Sequence, residues 1–342
     1  MSVAGERTQY LNLEQIEAVC AQTAERLLVD DGDLVEVLRR ELVSISANRL
    51  RSGALGQGLF GAHADRPGVI ALAGPGGVGK TFFAELVARV TYGERYADHL
   101  IGVNCRAFFA GRVPPLPRAK LEAAPLAIVN LDGVEALPEF PPVAALWSDA
   151  IHYGQASLPA AGERGTITQQ ELSFGRCLIV ATANVGREQI GHIGFRAGEV
   201  EPVERETATR MIREALADLF DGLAGEVFPP DRWTILPPLE RQDLRRLVDL
   251  QLRSLAELLP RGSPPIQIAE PAATRLIDLA LASRSRNKTV ALVDLIRATV
   301  EPSIDAALLR AAAPVPLSVR IGLAQGQPAA SVETVSAETL LR

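Results

Sequence analysis

Gly74-Pro75-Gly76-Gly77-Val78-Gly79-Lys80-Thr81 fits the pattern G-x-x-x-x-G-K-[ST] at every fixed position. An apolar run, Val69-Ile70-Ala71-Leu72-Ala73, precedes it and reads as a buried strand. Phe82-Phe83-Ala84-Glu85-Leu86-Val87-Ala88-Arg89-Val90 follows with helical spacing. Strand, glycine loop and helix are the setting a phosphate-binding loop needs. The glycines let consecutive backbone N–H groups turn inward around phosphate oxygens. The helix start adds unpaired N–H groups and a partial positive charge. In this pattern Lys80 reaches the β- and γ-phosphates, and the Thr81 hydroxyl binds Mg²⁺.

Working outward, Leu100-Ile101-Gly102-Val103-Asn104 reads as a second strand. Leu126-Ala127-Ile128-Val129-Asn130-Leu131-Asp132 is an apolar run ending in an acid, the form of a Walker B strand. Its Asp132 belongs to the Mg²⁺ shell. A buried strand ending in Asp is common by itself, and the loop upstream gives this one its meaning. Cys177-Leu178-Ile179-Val180-Ala181-Thr182-Ala183-Asn184 is a further apolar strand, ending in an amide, and Trp233-Thr234-Ile235-Leu236 is a short last one.

The 342 residues suffice for a sizeable core and two domains. Apolar residues at 47% and charged residues at 22% give a globular profile. No apolar stretch reaches membrane-spanning length, and the N-terminus has no signal-like apolar region, so a cytoplasmic location without membrane contact is expected. The net charge of −6 and the lack of any Lys/Arg-rich run argue against a nucleic-acid partner. Cys20, Cys105 and Cys177 lie too far apart for metal-ligand spacing and read as small core residues.

Along the chain, apolar spacing predicts helices over 11–29 and 34–50, leading into the module from residues 1–50. Residues 51–237 carry strands alternating with helices. Beyond Pro237-Pro238 the pattern turns helical through about 312, over 240–259, 271–282 and 289–312. Residues 313–342 read as a strand pair and a tail. Strands alternating with helices, then helices alone, indicate an α/β nucleotide-binding domain followed by a small helical one.

These motifs, with Ile179-Val180-Ala181-Thr182-Ala183-Asn184-Val185-Gly186 and Pro238-Leu239-Glu240-Arg241-Gln242-Asp243-Leu244-Arg245-Arg246-Leu247-Val248, occur in the order found in Clp-type AAA+ ATPases. Over roughly residues 30–310 the chain resembles the second nucleotide-binding module of Clp unfoldases and disaggregases. The resemblance implies a P-loop fold with a parallel five-stranded sheet of order 5-1-4-3-2 and a C-terminal helical lid. It implies ATP and Mg²⁺, held by Gly74, Pro75, Gly76, Gly77, Val78, Gly79, Lys80 and Thr81, with Thr81 and Asp132 on the metal. Asn184 falls on the sensor 1 position, which helps place the attacking water. It also implies a homo- or hetero-oligomeric ring, a hexameric ring among its forms, and a protein partner that the sequence does not identify.

The departures fall on separate parts of the machine. The family follows its Walker B aspartate with a catalytic glutamate; here Gly133 follows Asp132. Glu135 stands three residues past Asp132 and substitutes as a catalytic acid only if the strand end is remodelled. Between Glu214 and Asp231 there is no arginine for the family's trans-acting finger, and Arg232 reads as displaced into the last strand. At the sensor 2 position Lys288 lies nearest, with Arg284 and Arg286 just upstream. The substrate-gripping segment is reduced to about 110–117 and has no aromatic residue, while Phe108-Phe109 reads as core.

A general base contributes ~10²–10⁴-fold and an arginine finger roughly 10³–10⁵-fold. The expected protein therefore binds ATP, hydrolyses it weakly or only with a partner, and serves as a nucleotide-dependent regulatory or structural subunit. The alternative is an active AAA+ ATPase or chaperone that remodels proteins with Glu135 and Arg232 in non-standard roles. A third class, an initiator-type DNA-binding NTPase, is disfavoured by the acidic balance.

Overall fold

The structure is a computed structural model that describes residues 10–28, 32–55, 66–110, 116–123, 125–161, 167–185, 205–220, 223–283, 285, 287–311 and 315–335. These fall into two compact units, divided between Pro238 and Leu239.

The first unit is built on five parallel strands: β1 (Gly68–Gly74), β2 (Leu100–Asn104), β3 (Ala127–Asp132), β6 (Cys177–Asn184) and β7 (Trp233–Ile235). Between β3 and β6 an antiparallel hairpin, β4 (Gln155–Ala161) with β5 (Ile167–Ser173), forms a sheet of its own. Counting it, the large sheet runs β7-β1-β6-β3-β2, so the hairpin shifts the numbering of the expected order. The central strands are buried on both faces, with Ile70, Leu72, Ile128, Val129, Leu178, Ile179 and Val180 fully enclosed. Such strands read as continuous apolar runs, which is why they were legible.

Two helices, α1 (Leu13–Arg26) and α2 (Gly32–Leu55), precede β1, and α3 (Lys80–Tyr92) follows it. An Asn12/Gln15 capping box opens α1. Its buried Ile16, Val19 and Cys20 pack with Leu34, Leu38, Leu42 and Ile45 of α2. The contact between α2 and β1 is close: a Cβ on Gly68 would lie 2.8 Å from Ile45 Cδ1. Glu41 fixes the register by accepting a hydrogen bond from the Val69 N–H at 3.2 Å. Phe83, Leu86, Val87 and Val90 are the buried face of α3, which packs on β3. Short α4 (Arg118–Leu121), α5 (Pro141–Tyr153), α6 (Arg205–Leu219) and α7 (Leu223–Val227) complete the unit. Cys20, Cys105 and Cys177 are all buried and unpaired.

The second unit holds α8 (Arg241–Glu257), α9 (Glu270–Ala282) and α10 (Lys288–Ala311). A Glu240/Asp243 capping box starts α8. Buried apolar residues of the unit include Leu244 and Val248 of α8, Leu276 of α9, and Leu292, Ile296 and Val300 of α10. A hairpin of β9 (Leu317–Ala324) and β10 (Gln327–Thr334) joins this unit, because β9 pairs in parallel with β8 (Gln267–Ile268), a strand between α8 and α9. No helix of the described residues is long and apolar enough to cross a membrane.

Candidate functional site

The glycine loop leaves the C-terminal end of β1 and enters α3 at Lys80. Gly74 is forced by its surroundings: φ is +154° and a Cβ there would stand 2.2 Å from the Leu236 carbonyl oxygen. At Gly79, the residue before α3, φ is +100°. A Cβ added at Gly76 or Gly79 would meet nothing within 4 Å, so these two positions of the loop are uncrowded. Lys80 folds into the loop and is buried, its Nζ donating to the carbonyls of Gly74 at 2.8 Å and Pro75 at 2.7 Å. Burial lowers its pKa to about 8, while the nearby carboxylates of Glu135 and Asp132 act in the opposite direction.

Next to the loop, the Thr81 hydroxyl donates to Asp132 Oδ1 at 3.3 Å. Two oxygen donors of the kind Mg²⁺ prefers are thus already together at the start of α3 and the end of β3. A glycine loop with a buried lysine, beside a hydroxyl–carboxylate pair, fits a Mg²⁺-bound polyphosphate. Thr182, which no local motif singles out, lies opposite Asp132 in the β3–β6 register and donates to the same Oδ1 at 2.6 Å. Asn184 ends β6 opposite Gly74, with its side chain exposed.

Beyond Asp132 the chain turns sharply. Gly133 takes a left-handed conformation, φ +78°, and starts a 3₁₀ turn over Val134–Glu139. That turn brings Glu135 back against the strand ends. Glu135 Oε2 accepts from the Asn184 backbone N–H at 3.1 Å, and Oε1 accepts from Arg106 Nη2 at 2.8 Å. No local motif singles out Arg106 either. Asp132, Glu135 and Asn184 therefore meet at one edge of the sheet, beside the loop.

Arg232 and Lys288 belong to other elements. Arg232 is not in the last strand: it ends the 3₁₀ turn Pro230–Arg232 just before β7. Trp233 pairs with Ala71, so Arg232 points the chain into β7 from the sheet end opposite the loop. There it lines a cavity of about 640 Å³ with Arg40, Glu41 and His152. Lys288 belongs to the second unit, where its Nζ donates to the Ser283 carbonyl at 2.6 Å. Residues 111–115 of the gripping segment, and the side chains of Phe108 and Phe109, lie outside the described residues.

No family model matches the chain. It is similar to the ATP-dependent Clp protease ATP-binding subunit ClpE of Lactococcus lactis subsp. lactis (strain IL1403), 25% identical over 279 residues. The match covers 77% of this chain and 35% of that protein, so the chain spans about a third of its relative's length. With the parallel sheet and the glycine loop, this likeness supports a Clp-type AAA+ relationship.

Proposed function

We propose that the chain is a Clp-like AAA+ protein that binds ATP with Mg²⁺, hydrolyses it weakly or with a partner's help, and acts as a nucleotide-dependent regulatory or structural subunit. One observation carries this reading: a hydroxyl–carboxylate pair suited to Mg²⁺ stands at the glycine loop, and the residue after that carboxylate is a glycine. Thr81 and Asp132 are in contact beside the loop, whereas position 133 has no side chain.

In this reading the backbone N–H groups of 76–80 and the Lys80 ammonium bind phosphate oxygens. Thr81 and Asp132 would hold Mg²⁺, which supplies positive charge against the phosphates. Lys80 leaves its two carbonyl partners to do so, and Thr182 keeps Asp132 aimed. Lys288 is a proposed nucleotide contact from the second unit. We further propose a ring assembly, homo- or hetero-oligomeric, whose neighbour supplies the missing arginine, in a cytoplasmic setting.

The placement of Glu135 favours a second reading, a working ATPase or chaperone with Glu135 as the base. Its carboxylate stands at the strand end, one oxygen on the Asn184 N–H. Thermal melting with and without Mg·ATP, followed by steady-state turnover, tests both. Saturation at a hundred times Kd stabilises a protein by about 2.7 kcal/mol. The expected result is a clear upward shift in melting temperature with turnover near background. Equal melting temperatures in a well-folded sample would sink the nucleotide reading.

A further inference from the structure

The side chain of Arg106 lies across Gly133. A Cβ added to Gly133 would stand 3.6 Å from Arg106 Cγ and 3.8 Å from its Nε. Thus a cationic side chain covers the spot, immediately after Asp132, that any side chain at 133 would have to share. The turn after β2 aims it there: Asn104 Oδ1 accepts from the Arg106 backbone N–H at 2.9 Å, and Asn104 is the register partner of Asp132.

The partner of the guanidinium is Glu135, at 2.8 Å, in an unequal pair: the Arg106 side chain is 62% exposed and that of Glu135 11%. The exposed guanidinium can exchange this acceptor for another anion. The other oxygen of Glu135 has a separate partner, the Asn184 N–H. A guanidinium presents a planar fork of donors that matches a terminal phosphate as well as a carboxylate. Asp132 and Glu135 also put two negative charges at this edge, which repel a third phosphate unless a cation intervenes.

We infer that Arg106 reads the terminal phosphate of a nucleoside triphosphate from within the same chain, exchanging Glu135 for it, and so gives the site a preference for triphosphate over diphosphate. The inference rests on the nucleotide-binding reading and adds a specificity-determining residue to it.

The test compares Mg·ATP, a non-hydrolysable Mg·ATP analogue and Mg·ADP by calorimetry on the full chain, as wild type, Arg106→Ala and Arg106→Lys. Loss of a hydrogen bond to a charged group predicts that Arg106→Ala weakens both triphosphates on the order of tenfold while ADP binding stays near wild type. Arg106→Lys keeps the charge without the fork and should fall between the two. Equal weakening of ATP and ADP, or no change in either, overturns the inference and leaves Arg106 as a clamp on Glu135. A wild-type chain that binds neither nucleotide overturns the nucleotide reading, and this inference with it.

Discussion

Thr182 and Asp132 face each other on neighbouring parallel strands, and the buried Thr182 hydroxyl donates to Asp132 Oδ1 at 2.6 Å. Thr81 donates to the same oxygen from the start of α3 at 3.3 Å. One carboxylate oxygen therefore ties the sheet to the loop helix, and its orientation is set before any ligand arrives.

Thr182→Val keeps the shape and removes the donor. Hydrogen bonds to charged groups contribute about 1.5–3 kcal/mol, so stability should fall by an amount in that range. Mg²⁺-dependent ATP binding should weaken with it, because Asp132 loses the contact that aims it. Urea denaturation and a Mg²⁺ titration at fixed ATP measure the two effects; wild-type values in both would remove Thr182 from the site.

Lys80 makes stability depend on pH. Burial brings its pKa from 10.5 to about 8 in the folded, nucleotide-free protein. Between these values the unfolded chain binds the extra proton, so stability rises with pH across about 8 to 10.5. Bound phosphates hold the proton on, so ATP affinity should fall by up to about tenfold per pH unit above pH 8. Lys80→Met should flatten the stability slope and remove most of the ATP-induced melting shift. Denaturation at pH 7.5 and 9.5 in both proteins would expose a missing difference.

Restoring a glutamate at 133 should not restore hydrolysis. The backbone there has φ +78°, a left-handed conformation that costs a residue with a side chain about 1–2 kcal/mol. The new side chain would also start in contact with Arg106, its Cβ 3.6 Å from Cγ. Gly133→Ala should lower stability by that amount, and Gly133→Glu should lower it at least as much. Turnover of Gly133→Glu should stay well below the ~10²–10⁴-fold gain of a restored base. A gain of that full size would show that the turn relaxes and that Arg106 yields.

Glu135→Gln separates the two functional readings. It keeps an oxygen for the Asn184 N–H but lowers basicity and weakens the pair with Arg106. With wild-type turnover near background, the variant should change the rate little and still bind Mg·ATP. Ordinary ATPase turnover in wild type, abolished in the variant while ATP still binds, would make Glu135 the base and the chain a working ATPase.

The strands of the large sheet were legible as apolar runs, the central ones buried on both faces, and the loop because its glycines and Lys80-Thr81 stand close together along the chain. The β4–β5 hairpin was not: Gln155–Ser173 mixes Pro159, alanines and polar residues without alternation. Local sequence determined that Gly74–Thr81 forms a phosphate loop and that Asp132 ends a strand, since both follow from neighbours along the chain. Only tertiary structure decided that Thr182 donates to Asp132, that Arg106 covers Gly133, and that Glu135 returns to Asn184. The first depends on strand register, the others on the left-handed turn at Gly133. That turn redirects the chain by one residue's dihedral angles and joins partners 29 and 49 residues apart, which no local pattern records.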